Sequence, residues 1–209
     1  MKYKKYLEED YKFGLKAKIE IFCLLIIIGG IFGFVYEYIF YFFNGGLKYF
    51  YWRGGNFLPW INIYALGGIL IYALFFKERK SPLKVFIKST LLCGVLEFVS
   101  GIILFKLTGM RFWDYNTEIL NFGNIYGFIC LRSVLFFGLS GLILIYAIVP
   151  ICYFLVNRFK GRVFFWIVVI LCSLFIVDEL YNSVIANIIH TKTATDIYKS
   201  FGLHFMDFS

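Results

Sequence analysis

What most limits the fold is a train of long apolar runs, broken by short connections rich in lysine, arginine, glycine and aromatic residues. Five runs stand out, at about 19–43, 59–76, 83–105, 124–156 and 163–188. A bilayer core takes roughly 20 apolar residues of helix, and several of these runs approach or exceed that length. The run at 59–76 is at the short end. No soluble domain of 209 residues has an interior for 61% hydrophobic and 22% aromatic residues at a mean hydropathy of +0.78. The expectation is an all-α, polytopic membrane helix bundle of about five transmembrane helices.

Charge supports the same reading. The net charge of +8 sits in the connections, where orientation signals belong, so nucleic-acid binding is not expected. Lys2, Lys4, Lys5, Lys12, Lys16 and Lys18 precede the first run. Lys77, Arg79, Lys80 and Lys84 follow the second, and Arg158, Lys160 and Arg162 follow the fourth. The alternate connections hold only Lys48 with Arg53 and Lys106 with Arg111. This alternation predicts a cytoplasmic N-terminus and, with five crossings, an external C-terminus. Residues 1–18 then form a cytoplasmic tail, 19–188 the transmembrane domain, and 189–209 a polar and aromatic tail at the interface. The first run has no small-residue cleavage site after it and reads as a retained anchor. Cys23, Cys93, Cys130, Cys152 and Cys172 lie in or beside apolar runs without metal or disulfide spacing. No metal, cofactor or Walker loop is expected.

Polar residues inside such runs are costly and are the first candidates for function. Glu37 shares a helical face with Gly30 and Gly33, and Gly29 with Gly33 makes a small-residue pair suited to close helix contact. Gly94, Glu97 and Gly101 repeat that face. Burial would favour the protonated form of Glu97 if it lacked a partner. Arg132 reads as lying two turns inside the fourth run, with Glu97 or Asp178 as its natural partner. Pro150 is expected to kink that run or to end its membrane part. Asp178 and Asn182 are four apart, and Glu179 is rotated away from them. The topology gathers Glu37, Arg53, Asn62, Tyr64, Glu97, Arg111, Asp114, Asn124, Arg132 and Asp178 in the outer half. They could line a ligand or transport pocket, form ion pairs that fix helix register, or serve acid–base chemistry. Enzyme activity is left open by the residues alone.

The order Glu37, Arg53-Gly54, Asn62-Ile63-Tyr64-Ala65 is echoed by Glu97, Arg111-Phe112, Asn124-Ile125-Tyr126-Gly127. Two crossings separate the copies, so a repeat here would be parallel, two helices in each copy.

The runs Leu96-Glu97-Phe98-Val99-Ser100, Arg111-Phe112-Trp113-Asp114-Tyr115 and Asn124 through Leu131 resemble the bacterial family labelled putative ABC-transporter permease, type IV. Gly33, Glu37, Arg53-Gly54, Leu58-Pro59 and Ile63-Tyr64 fit as well, so the likeness covers about 25–150. It adds Trp113 and Tyr115 to the candidate pocket residues. The chain departs from the family pattern where Leu58 precedes Pro59, Asn62 replaces a proline, Ala65 replaces a glycine, and Phe128 stands where arginine is common. Arg132, one turn later, is placed to replace that charge. The resemblance implies a small permease-like subunit in the bacterial cytoplasmic membrane. Its partners would be membrane lipids and a separate ATPase subunit or further copies of itself. A non-transporting accessory or scaffold protein and a membrane enzyme acting on a lipid or envelope precursor are the competing readings.

Overall fold

A mainly apolar sequence, with no proline between residues 15 and 44, forms one helix in the computed structural model, which describes residues 5–8, 10–109, 111 and 113–205. This is α1 (Leu15–Asn44), 30 residues long. It is followed by β1 (Tyr51–Trp52), α2 (Asn62–Phe75), α3 (Pro82–Thr108), α4 (Leu131–Arg158), α5 (Arg162–Ile185), α6 (Ala194–Ser200) and β2 (His204–Phe205). Phe112 of the Arg111–Tyr115 stretch, Lys2 and Lys4 of the N-terminal tail, and 206–209 of the C-terminal tail lie outside the described residues. Among those described, α1, α3, α4 and α5 are long and apolar enough to cross a membrane, and the chain is a multi-pass membrane protein. Pro82 opens α3, and Gly109 closes it in the left-handed conformation, its N–H donating to the Phe105 carbonyl.

Three boundaries differ from expectation. The run at 59–76 becomes α2, only 14 residues long, or about 21 Å. Its first part is drawn into a loop: the N–H groups of Phe57 and Leu58 donate to Asp178, and that of Ile61 donates to the Gly30 carbonyl. Pro59 therefore sits in that loop rather than at the helix start. The fourth span begins at Leu131 instead of 124. Tyr126 at φ 54° and Gly127 at φ 76° are left-handed, and such residues cannot continue a right-handed helix. Arg132 is consequently in the first turn of α4, not two turns inside it. Pro150 does not end the helix, which runs on to Arg158 through a π turn at Leu144–Ile148. Proline has no N–H and crowds the carbonyl four residues back, and the wider turn makes room for it. A second π turn, Tyr181–Ile185, follows Asp178 in α5.

The chain divides into two compact units, Met1–Leu70 with Ile148–Met206, and Ile71–Ala147 with Asp207–Ser209. In the first, α1 packs on α5 and on the Val149–Arg158 part of α4. The glycine stripe of α1 admits neighbours that a methyl group would exclude: a Cβ on Gly29 would lie 3.2 Å from the Ala65 Cα, and one on Gly33 would strike the Tyr64 ring. In the described part of the tail, α6 leads into β2, which pairs in parallel with β1 through Tyr51 with His204 and Trp52 with Phe205. In the second unit, α3 and the Leu131–Ile143 part of α4 lie along each other. Gly94 meets Val134, Gly138 meets Phe86 and Thr90, and Gly141 meets Ser89. The Tyr146 hydroxyl donates to the Arg79 carbonyl at 2.6 Å.

The two similar tetrapeptides fold differently. Asn62–Ala65 is the first turn of a helix, whereas Asn124–Gly127 is a tight turn in a loop.

Candidate functional site

In the unit Met1–Leu70 with Ile148–Met206, the polar residues gather where the loop 45–61 meets the C-terminal parts of α1 and α5. Arg53 is buried, and its Nε donates to Glu37 Oε2 at 2.9 Å. Its guanidinium lies 3.9 Å from the centre of the Tyr41 ring. Burial alone would lower the Arg53 pKa, but the Glu37 carboxylate raises it further and leaves it above its ordinary value. Asp178 is an acceptor for four donors. Its Oδ1 takes the Phe57 N–H at 3.0 Å and Asn182 Nδ2 at 2.7 Å; its Oδ2 takes the Leu58 N–H at 2.9 Å and Trp60 Nε1 at 3.0 Å. Glu179 takes Asn56 Nδ2 at 2.7 Å and Asn62 Nδ2 at 2.8 Å. Asn182 Oδ1 in turn accepts the N–H of Ala194, and the Tyr198 hydroxyl donates to the Phe57 carbonyl. Tyr64, an expected pocket residue, lays its ring over Gly33.

In the unit Ile71–Ala147, Glu97 is 6% exposed and accepts from two hydroxyls, Tyr115 at 2.5 Å and Ser133 at 3.0 Å. It is therefore not the partnerless carboxylate considered from sequence. Burial, together with the nearby Glu97 and Glu118 carboxylates, holds the Tyr115 hydroxyl well above its usual pKa, so it remains a neutral donor. Arg132 pairs with Glu118, in place of the Glu97 or Asp178 expected, because its position in the first turn of α4 puts it beside the loop that carries Glu118. The guanidinium also lies 5.3 Å from the centre of the Tyr115 ring.

The loop between α3 and α4 is tied to itself by the remaining candidates. Arg111 donates to the Tyr126 carbonyl at 2.6 Å, sits over the Phe128 ring, and is 3.8 Å from Asp114. Trp113 donates to the Phe128 carbonyl at 3.0 Å. Asp114 accepts from the backbone and side chain of Asn116; Asn124 donates to Asn116 and accepts the Gly127 N–H. A Cβ on Gly127 would collide with Asp114, Arg111 and Asn116, so both its left-handed backbone and the lack of space require glycine.

The candidates thus fall in two groups, one in each unit. Glu37, Arg53, Asn62, Tyr64 and Asp178 belong to the first; Glu97, Arg111, Trp113, Asp114, Tyr115, Asn124 and Arg132 belong to the second. Sequence reasoning passed over Glu118, Ser133, Glu179 and Asn56. Glu118 carried a usable signal: it is the one charged residue between Asp114 and Arg132. Glu179 was set aside by its angle on the helix, but its side chain reaches the loop on that flank of α5.

All twelve of these residues fall within 24–183, the stretch that matches the family described as "Putative ABC-transporter type IV". The chain belongs to this family. The type IV match takes in α1 from residue 24 onward, α3, both groups of polar residues, and α5 almost to the end of its π turn. No curated protein and no solved structure matches the chain.

Proposed function

We propose that the protein is the membrane subunit of a small ABC-type permease, working beside a separate ATPase, and that its polar groups fasten the loops to the helix ends. Membership of the type IV family supports the first part, since a permease of that class implies a cognate ATPase. The observation that carries the second part is Asp178, whose carboxylate is fully engaged by the loop and by Asn182. A pocket carboxylate that awaits a ligand would keep an oxygen free. Glu97, engaged by Tyr115 and Ser133, follows the same pattern.

The distribution of lysine and arginine supports a cytoplasmic N-terminus and an external C-terminus, with α2 as the fifth crossing. Continued by the turn Phe76–Glu78, α2 reaches about 27 Å, close to the hydrocarbon thickness. In this orientation the connections at 77–84 and 157–162 face the cytoplasm and are the places where an ATPase would dock. The parallel repeat is proposed at the level of helix and loop. Glu37 on α1 and Glu97 on α3 each hold a residue of the loop that follows, Arg53 and Tyr115.

The engagement of both oxygens of Asp178 and of Glu97 also favours a second reading, a non-transporting scaffold. Cross-linking in native membranes, followed by purification of the chain and mass spectrometry, separates the two. The permease reading expects an ATPase linked through the lysines at 77–84 or 160. Recovery of the chain alone, or only with further copies of itself, overturns it in favour of the scaffold.

A further inference from the structure

The loop between α3 and α4 descends alongside α3. Tyr115 bonds to Glu97, ten residues before Leu107 and so about 15 Å below the end of the span. Trp113 and Phe128 pack on Gly101, and Ile129 packs on Gly94. The neighbouring stretch of α3, Phe98–Phe105, is apolar apart from Ser100 and Gly101, so the loop lies at the depth of membrane-spanning sequence. Non-helical backbone is tolerated there only if its polar groups are satisfied. This loop largely satisfies its own: Tyr115 N–H to Gly127, Ile125 N–H to Ile129, Phe128 N–H to Ile125 and Leu131 N–H to Phe122, beside the side-chain bonds described above.

Its free surface over residues 119–126 is largely apolar. Leu120, Phe122, Ile125 and Tyr126 are 55%, 60%, 48% and 78% exposed. Leu120 at φ 56° and Tyr126 at φ 54° hold bulky side chains outward from left-handed backbone, a conformation that bulky residues rarely adopt. Between Asp114 and Arg132 the only charge is Glu118, and it is buried against Arg132. Lys106 and Arg111 stand at the mouth of the loop, at the level where cations meet headgroups.

We propose that residues 119–126 form a re-entrant anchor, with Leu120, Phe122, Ile125 and Tyr126 inserted in the lipid leaflet at the C-terminal end of α3. The occupant is lipid rather than another protein because the surface continues the apolar flank of α3, whose Val99, Ile103 and Leu107 are exposed in the same way. The proposal does not depend on the chain being a permease.

The test uses the full chain in phosphatidylcholine–phosphatidylglycerol vesicles, spin-labelled at Phe122→Cys or Tyr126→Cys. The five native cysteines are buried and can be left in place. Val177→Cys on α5 supplies a lipid reference and Lys160→Cys a water reference. Relaxation by oxygen several times stronger than by a water-soluble nickel chelate, as at 177, is the expected result. A label that follows 160 and favours the nickel chelate overturns the proposal. So does a label shielded from both reagents, which would show a protein cover. An unchanged midpoint of thermal unfolding after labelling confirms that the protein is still folded.

Discussion

At the scale of single residues, the buried carboxylates of Asp178 and Glu97 act as acceptors for the loops beside them. Asp178 shows this most fully, since four donors converge on it and two of these are backbone N–H groups with no other partner shown. Each buried donor left unsatisfied costs about 1–3 kcal/mol. Asp178→Ala should therefore destabilise the protein by at least about 3 kcal/mol, read as a lower midpoint of thermal unfolding in detergent. Asp178→Asn, which keeps one acceptor oxygen, should lose about half as much. Equal stability of Asp178→Ala and the parent would refute the anchoring role. The place of Asp178 near the end of an apolar run was legible from the sequence, as was its nearness to Asn182. Its partners were not, because they are mostly backbone N–H groups, and any residue could have supplied those. Arg132 was misplaced for a related reason. Hydropathy runs smoothly from 124 into the helix, and only the left-handed turn at Tyr126-Gly127 shows that the first seven residues belong to the loop.

At the scale of elements, length and hydropathy identified α1, α3, α4 and α5, and the glycine faces on α1 and α3 were visible at their correct spacing. Helix starts were harder to read. Pro59 looked like a first-turn proline, but Asp178 and Gly30 capture the chain around it and delay α2 to Asn62. The short α6 lies in a tail that gave no periodic signal, and its start depends on reciprocal capping. The Thr193 hydroxyl accepts the Asp196 N–H, while Asp196 accepts the Thr193 N–H and hydroxyl. Those bonds from Thr193 hold the Asp196 carboxyl below its usual value. A depressed pKa stabilises the folded form above the unfolded value, near 3.9, and that contribution fades as pH falls through the lower folded value. The cap should thus hold at neutral pH and loosen only in strong acid. Thr193→Ala should remove about 1 kcal/mol of local stability, seen as faster hydrogen exchange at 194–200 at neutral pH. Exchange unaltered by the substitution would mean that β2 and Tyr198, not the cap, hold α6 in place.

At the scale of the whole molecule, family membership and four long apolar helices establish a multi-pass membrane protein. The path of the chain then turns on α2. If α2 crosses, as proposed from the basic connections, a cysteine at the exposed residue 80 reacts only with membrane-permeant reagents in intact cells, and one at residue 201 reacts with impermeant ones as well. If α2 instead lies along the surface, the accessibility of these two positions will not alternate in this way. Within each unit the polar residues are tied to a loop of that same unit. A count of charges along a chain shows which helix ends they share, but not which loop each one captures.

The pairing of Tyr51-Trp52 with His204-Phe205 has a consequence for how the protein is made. The first connecting segment cannot reach its final form while the ribosome is still producing the helices that follow, because the strand that completes it is about 150 residues downstream. During synthesis its aromatic residues must wait at the membrane surface, exposed to whatever insertion machinery or chaperone is there. Maturation of this early segment is therefore deferred until residues 204–205 have been made.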